Sequence, residues 1–156
     1  LFTFNPTIEV FCNRGTSGID GCTSTAVGSA VVTNKTTTLI TGDISFLYDS
    51  NALWNNYIPK NFKIIIINNG GGGIFRILPG HQENRVFNTF FETEHSYSAQ
   101  YLANMFHLHY ASASNEIEVT EELKKMYSKN DKPCILEIFT PTKENQNIQR
   151  DYFKNV

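Results

Sequence analysis

Phe62-Lys63-Ile64-Ile65-Ile66-Ile67-Asn68-Asn69-Gly70-Gly71-Gly72-Gly73 is the stretch that decides the fold. Its isoleucines form an unbroken β-branched run, and such side chains fit a pleated, packed surface. A strand with one wet face would alternate apolar and polar residues. This one does not, so it predicts a central strand buried on both faces of a mostly parallel sheet. Asn68, Asn69 and the glycines then end it in a loop. Upstream, Thr36 to Thr41 predicts a second strand, and Gly42-Asp43-Ile44-Ser45 follows it directly. Between the strands, Ser45 to Tyr57 predicts a helix, with Phe46, Leu47, Leu53 and Trp54 on one side and Pro59 beyond its end. A right-handed strand–helix–strand crossover carries both strand ends to one carboxyl edge. Asp43 and the asparagines, 25 and 26 positions further on, would meet there.

One carboxylate and one or two amide oxygens, backed by glycines, suit a hard cation such as Mg²⁺ that keeps positions open for an anionic ligand. Asp43 offers a charged oxygen and Asn69 an amide oxygen. A glycine, lacking Cβ, can turn a carbonyl inward as a third ligand. Gly42 admits close backbone approach, and Ser45 with the first N–H groups of the helix can receive a diphosphate. Taken singly, Gly-Asp after a strand is an ordinary turn with a capping aspartate, and Asn-Asn-Gly is an ordinary turn. The spacing and the glycine run together carry the functional reading.

The alternation of strands and helices continues along the chain. Ile8 to Cys12 reads as a short strand and Gly21 to Val32 as a helix rich in small residues. Ser98 to His107 reads as a helix with Tyr101, Leu102, Met105 and Phe106 as its apolar members, and His109 to Ala111 as a strand. Thr120 to Ser128 reads as a helix capped by Thr120, and Pro133 to Phe139 as the last strand. Residues 79–93 look like a polar loop, and the tail after Pro141 is polar. The expectation is one α/β domain over residues 1–156, three-layered, with a mostly parallel sheet and helices on both faces.

A chain of 156 residues can bury a sizeable core. Apolar residues at 40% against charged residues at 18% place it among globular rather than disordered chains. A net charge of −2, with scattered lysines and arginines, gives no footprint for nucleic acid. No apolar run approaches the roughly 18 residues of a membrane span, and no secretory signal is visible. Cys12, Cys22 and Cys134 form no Cys-x-x-Cys pair, which fits a reduced, cytoplasmic protein with its thiols as small buried apolar groups. His81, His95, His107 and His109 lack ligand spacing and read as surface or satisfied histidines. The opening at Leu1, without a methionine, reads as the start of a piece of a longer polypeptide.

Three blocks carry a resemblance: Asn13-Arg14-Gly15-Thr16-Ser17-Gly18-Ile19-Asp20-Gly21, then Gly42 to Leu53, then Asn68 to Phe75. Gly-Asp-x-Ser followed by Asn-Asn resembles the metal–diphosphate fingerprint of the thiamin-diphosphate enzymes. The blocks together resemble the menaquinone-pathway synthases among them. The resemblance implies thiamin diphosphate and Mg²⁺ as cofactors, with 2-oxoglutarate and isochorismate as substrates of a decarboxylating addition. It implies Asp43, Asn69 and the Gly71 carbonyl as metal ligands, with Gly42 and Ser45 at the diphosphate. Ile19 falls where the family has an aliphatic wedge that bends the cofactor, and Ile74 and Phe75 fall beside its thiazolium ring. Arg14 falls where a guanidinium fork faces anionic substrate, and Asp20 could help order its loop. On the residues alone, Ile19 and Phe75 read as core and Arg14 as a solvated loop charge.

Gly70 stands where the family often has a further asparagine, and Gly73 replaces a larger residue, so a pliant loop is expected. The family's proton-relay glutamate lies on a separate pyrimidine-binding domain. This implies a site shared with that domain of a partner subunit, in a homo-oligomer, and no turnover by these residues alone. Acetolactate-synthase-like enzymes and other 2-oxoacid decarboxylases are the rivals within the class. They usually show Gly-x-Met-Gly and Leu-Pro-Ala-Ala segments where this chain has Asn13 to Ala30. A non-catalytic nucleotide-binding module would need a Gly-x-x-x-x-Gly-Lys-Ser/Thr or Gly-x-Gly-x-x-Gly loop, and neither occurs.

Overall fold

Strand-forming runs separated by helices build a sheet of four parallel strands in the order β1-β2-β4-β3. They are β1 (Thr37–Gly42), β2 (Phe62–Asn68), β3 (His109–Ala113) and β4 (Cys134–Phe139). The computed structural model describes residues 4–155 apart from 14, 17, 18, 20, 79, 81, 82, 129 and 130. Ile64 pairs with Leu39 on one side and Ile135 on the other, so β2 is the central strand its isoleucines predict. Successive side chains of a strand alternate between faces. Phe62, Ile64 and Ile66 accordingly pack with Val27 and Ala30 of α1 (Cys22–Val31), Phe46 of α2 (Asp43–Tyr48) and Ala103 of α4 (Gln100–Met105). Ile65 and Leu136 pack on the opposite face with Met126 of α5 (Glu116–Ser128). The result is the three-layer α/β arrangement expected from the sequence. Among the described residues no helix is long and apolar enough to cross a membrane.

Where elements differ from expectation, a specific partner or its lack is the reason. Ile8 to Cys12 forms no strand: it has no neighbour in the sheet, and Val10 and Phe11 stand exposed. The helix expected over Ser45 to Tyr57 begins earlier, at Asp43, and breaks after Tyr48 into a 3₁₀ turn at Ser50–Leu53. Asp49 at the break accepts the N–H and the hydroxyl of Ser24, both at 2.6 Å, and so puts a carboxylate at the positive start of α1. Trp54 is left 76% exposed. At α4, Tyr101 and Met105 face outward, whereas Leu102 and Phe106 pack against the core as expected, around the buried Ala103 and the preceding Ala99.

Helix α5 starts before Thr120 because Asn115 caps it. Asn115 Oδ1 accepts the Glu118 N–H at 3.0 Å, and the Glu118 carboxylate reaches back to the Ser114 N–H at 2.7 Å. Where the sequence reads as a polar loop, the chain forms a π-helical turn, Phe87–Glu92, with both end residues buried. The tail forms α6 (Asn145–Lys154). Cys12 is exposed and Cys22 and Cys134 are half-buried, so the thiols are not uniformly core. Burial pushes the Cys134 thiol up from its ordinary value. His107 precedes β3 with φ +60° and therefore does not share a strand face with His109, which pairs with Asp131 at the surface.

Candidate functional site

Asp43 opens α2 immediately after β1 and is 5% exposed. Its Oδ1 accepts the Ile44 N–H at 2.7 Å. Its Oδ2 accepts the N–H groups of Gly70 at 2.8 Å and Gly71 at 3.0 Å. The loops after β1 and β2 therefore meet at the carboxyl edge of the sheet. Gly70 has φ +76° and Gly71 φ +155°, and a Cβ on Gly71 would stand 2.7 Å from the Glu92 carbonyl oxygen. The Gly70 carbonyl accepts the His95 N–H at 3.0 Å, and the Glu92 carbonyl accepts the Gly72 N–H at 2.6 Å. The glycine run is thus a loop pressed backbone to backbone against residues 92–95, more tightly held than its composition implied. Gly71→Ala must push that backbone away. We expect a loss of about 1–3 kcal/mol from overpacking, read as a lower denaturant midpoint at unchanged slope.

The asparagines divide the work. Asn68 is buried; its Oδ1 accepts the Gly70 N–H at 3.0 Å and its amide donates to Glu137 Oε1 at 2.7 Å and to the Tyr97 carbonyl at 3.0 Å. Glu137, buried at the middle of β4, also accepts the Ser98 and Tyr110 hydroxyls, each at 2.7 Å, and the Ala99 N–H at 3.0 Å. A carboxylate can stay buried only with such a set of donors. Burial first, and then the bond to Glu137, pushes the Tyr110 hydroxyl up from its ordinary value. Asn69 is half-buried, and a Cβ at position 73 would fall 2.5 Å from its Nδ2. The glycine at 73 therefore makes room for the Asn69 amide.

Ile74 and Phe75 stand on α3 (Ile74–Ile77), which a buried ion pair fixes. Arg76 forks onto Glu92 through Nε and Nη2, and both side chains are almost wholly enclosed. Glu94 at 3.4 Å and Glu83 at 3.6 Å add to the field, and the guanidinium carbon lies 5.6 Å from the centre of the Phe87 ring. The bond to Glu92 is the main cause that holds Arg76 in its charged form. From α6, Arg150 donates to the Arg76 carbonyl at 2.9 Å. Phe75 meets Phe91 edge-on, with ring centres 6.0 Å apart. Ile74 is 54% exposed.

Ile19 lies in the loop before α1, 49% exposed, and is not packed into the core. Gly42 is exposed, and a Cβ there would meet nothing within 4 Å. Ser45 sits half-buried in the first turn of α2. Arg14, Asp20 and His81 lie outside the described residues. The edge also holds a residue the sequence had assigned to the surface or to ordinary satisfaction. The His95 side chain is 3% exposed, and its Nε2 lies 3.3 Å from Asp43 Oδ2. Nothing in its local pattern signals that contact, because Asp43 lies on a distant loop. Among the described residues no three His, Cys, Asp or Glu side chains converge as a metal cluster. A cation at this edge would have to join Asp43 to amide and backbone carbonyl oxygens.

A family model described as "Thiamine pyrophosphate enzyme, C-terminal TPP binding domain" matches residues 2–138. The chain belongs to that family. Within this thiamine pyrophosphate family, the chain is 64% identical, over its whole length, to the 2-succinyl-5-enolpyruvyl-6-hydroxy-3-cyclohexene-1-carboxylate synthase of Flavobacterium johnsoniae, and spans 28% of that protein. The synthase of the same name from Christiangramia forsetii is 52% identical over 98% of the chain, which spans 26% of it. That from Bacteroides fragilis is 39% identical over 98% of the chain, which spans 28% of it. The chain thus spans a little over a quarter of the length of the curated relatives it matches. A solved structure, the Rhodococcus jostii RHA1 thiamine diphosphate-dependent 4-hydroxybenzoylformate decarboxylase, aligns with a TM-score of 0.61. The alignment covers 76% of this chain and 22% of that one at 24% identity, and at that distance it speaks for the fold alone.

Proposed function

We propose that this domain holds the diphosphate and the metal of a 2-succinyl-5-enolpyruvyl-6-hydroxy-3-cyclohexene-1-carboxylate synthase, which joins 2-oxoglutarate, with loss of CO₂, to isochorismate in menaquinone biosynthesis. The observation that carries the reading is the Asp43 carboxylate, tied by the Gly70 and Gly71 N–H groups to the loop after β2. The 64% identity to a synthase of that name supports the choice of reaction.

The donor set fits Mg²⁺, which favours hard oxygens and leaves sites for phosphate. Asp43, Asn69 and the Gly71 carbonyl would hold the ion. Gly71 has no Cβ to keep its backbone off the loop at 92–94, and Gly73 leaves the Asn69 amide its space. The open space above Gly42, with Ser45 in the first turn of α2, would receive the diphosphate. Bound thiamin diphosphate supplies the nucleophilic carbon and the electron sink that decarboxylation needs. Ile19 and Ile74, apolar yet half exposed, would shape and dry the space around it, with Phe75 braced by Phe91. Arg14 would face a substrate carboxylate.

In this reading the chain is the C-terminal part of a longer, homo-oligomeric cytoplasmic enzyme. Its site is completed by the pyrimidine-binding domain of a partner subunit, and the 156 residues alone give no turnover. The test is substrate choice in the full-length enzyme. Consumption of 2-oxoglutarate that depends on isochorismate, thiamin diphosphate and Mg²⁺ is expected. Preferential consumption of pyruvate would instead put the protein with the acetolactate-synthase-like enzymes or the simple 2-oxoacid decarboxylases.

A further inference from the structure

His95 joins the two loops that make the carboxyl edge. Its backbone N–H donates to the Gly70 carbonyl at 3.0 Å, and its ring reaches Asp43 on the other loop. The ring is oriented from its far side. The Tyr97 N–H donates to Nδ1 at 3.1 Å, and the Tyr97 ring stacks on the imidazole with centres 5.3 Å apart. A ring nitrogen that accepts a hydrogen bond carries no proton, so in the neutral ring the N–H is at Nε2. That Nε2 is buried and makes no formed hydrogen bond, yet it lies 3.3 Å from Asp43 Oδ2. The distance is within reach of a hydrogen bond that is not formed here. Such bonds commonly tighten when a site is loaded.

We infer that His95 is a positioning residue for the Asp43 carboxylate. With the Gly70 and Gly71 N–H groups it gathers donors on Oδ2, so that Oδ1, which accepts the Ile44 N–H, is the oxygen turned to a divalent cation. The inference rests on the reading that Asp43 holds Mg²⁺. A carboxylate locked through one oxygen binds through the other alone, as the strict octahedron of Mg²⁺ favours. Partners that orient a metal ligand in this way carry a measurable share of the affinity.

The test uses the full-length enzyme with saturating thiamin diphosphate, and reads metal affinity by calorimetry with Mg²⁺ and by the electron paramagnetic resonance of Mn²⁺. His95→Leu removes the donor and should weaken the metal about 10–100-fold, whereas His95→Gln, whose amide can replace Nε2–H, should stay within about threefold of wild type. The melting temperature of metal-free His95→Gln should match wild type. Equal affinity in His95→Leu and wild type would overturn the inference. So would equal weakening in the leucine and glutamine variants, which would leave His95 a packing residue. Asp43→Asn separates the two claims: if it keeps wild-type metal affinity, the metal reading itself fails. Nitrogen-15 NMR of histidine-labelled wild type needs no variant to fold. A proton on Nε2 of His95 is expected, and a proton on Nδ1 would overturn the inference.

Discussion

Asparagine at position 43 will abolish Mg²⁺-dependent binding of thiamin diphosphate, with a loss of at least about a hundredfold in affinity. The expectation follows from the side chain's surroundings more than from its charge. Its oxygens are met by the N–H groups of Ile44, Gly70 and Gly71, with the His95 ring nitrogen beside them. An amide must point its NH₂ at one of these donors. If the NH₂ takes the Oδ2 place, it faces the Gly70 and Gly71 N–H groups and pushes the two loops apart. If it takes the Oδ1 place, it faces the Ile44 N–H and turns a donor toward the cation. A buried donor left without a partner costs about 1–3 kcal/mol, so the melting temperature should fall as well. Calorimetry of thiamin diphosphate binding with and without Mg²⁺, on wild type and variant, reads the main effect. Retained Mg²⁺ dependence in the variant would dismiss Asp43 as a ligand.

The second large effect is on stability. Arg76→Met leaves Glu92 enclosed and unpaired, and breaking a buried pair from one side costs about 3–5 kcal/mol. At roughly 2–4 °C per kcal/mol for a domain of this size, the melting temperature should drop by about 6–20 °C. The two halves of the pair are not equivalent. Glu92→Leu leaves Arg76 with Glu94 at 3.4 Å and Glu83 at 3.6 Å, both at the surface, so its loss should be smaller. The double variant Arg76→Met/Glu92→Leu, apolar on both sides, should recover much of the loss. Thermal unfolding of the three variants checks the ordering. An arginine variant as stable as wild type would mean that Glu92 sheds its charge or finds water. Because α3 carries Ile74 and Phe75, the arginine variant should also loosen the wall of the site.

The sheet was legible because its signals are local. Ile64 to Ile67 demand a buried central strand, and the glycines after Asn69 demand a loop at its end. The convergence of the loops was legible too, since parallel crossovers leave few alternatives. What was not legible depends on pairs far apart in sequence. Asp49 leaves its own helix to reach Ser24, so periodicity overran the break. Glu92 looks like a loop charge until Arg76 is known to meet it. Ile8 to Cys12 has the composition of a strand but pairs with none of the four strands. His95 belongs to the same class: Tyr97 is its neighbour in sequence, but Asp43 lies on another loop and no local pattern shows it. Asn68 and Asn69 look alike in sequence, yet Asn68 is committed to Glu137 and the Gly70 N–H, and the ligand role proposed above falls to Asn69.

The order β1-β2-β4-β3 has a consequence for biosynthesis. The inner neighbour of β2 is the last strand to be made, since Ile64 waits for Ile135. While the polypeptide leaves the ribosome, its most apolar segment has one side satisfied by β1 and the other bare until Phe139 has emerged. An unpaired strand edge of this kind is what drives nascent chains to stick to one another. Within this domain the isoleucine stretch is therefore the part that most needs shielding during synthesis, and a truncated translation product ending before β4 would leave it bare.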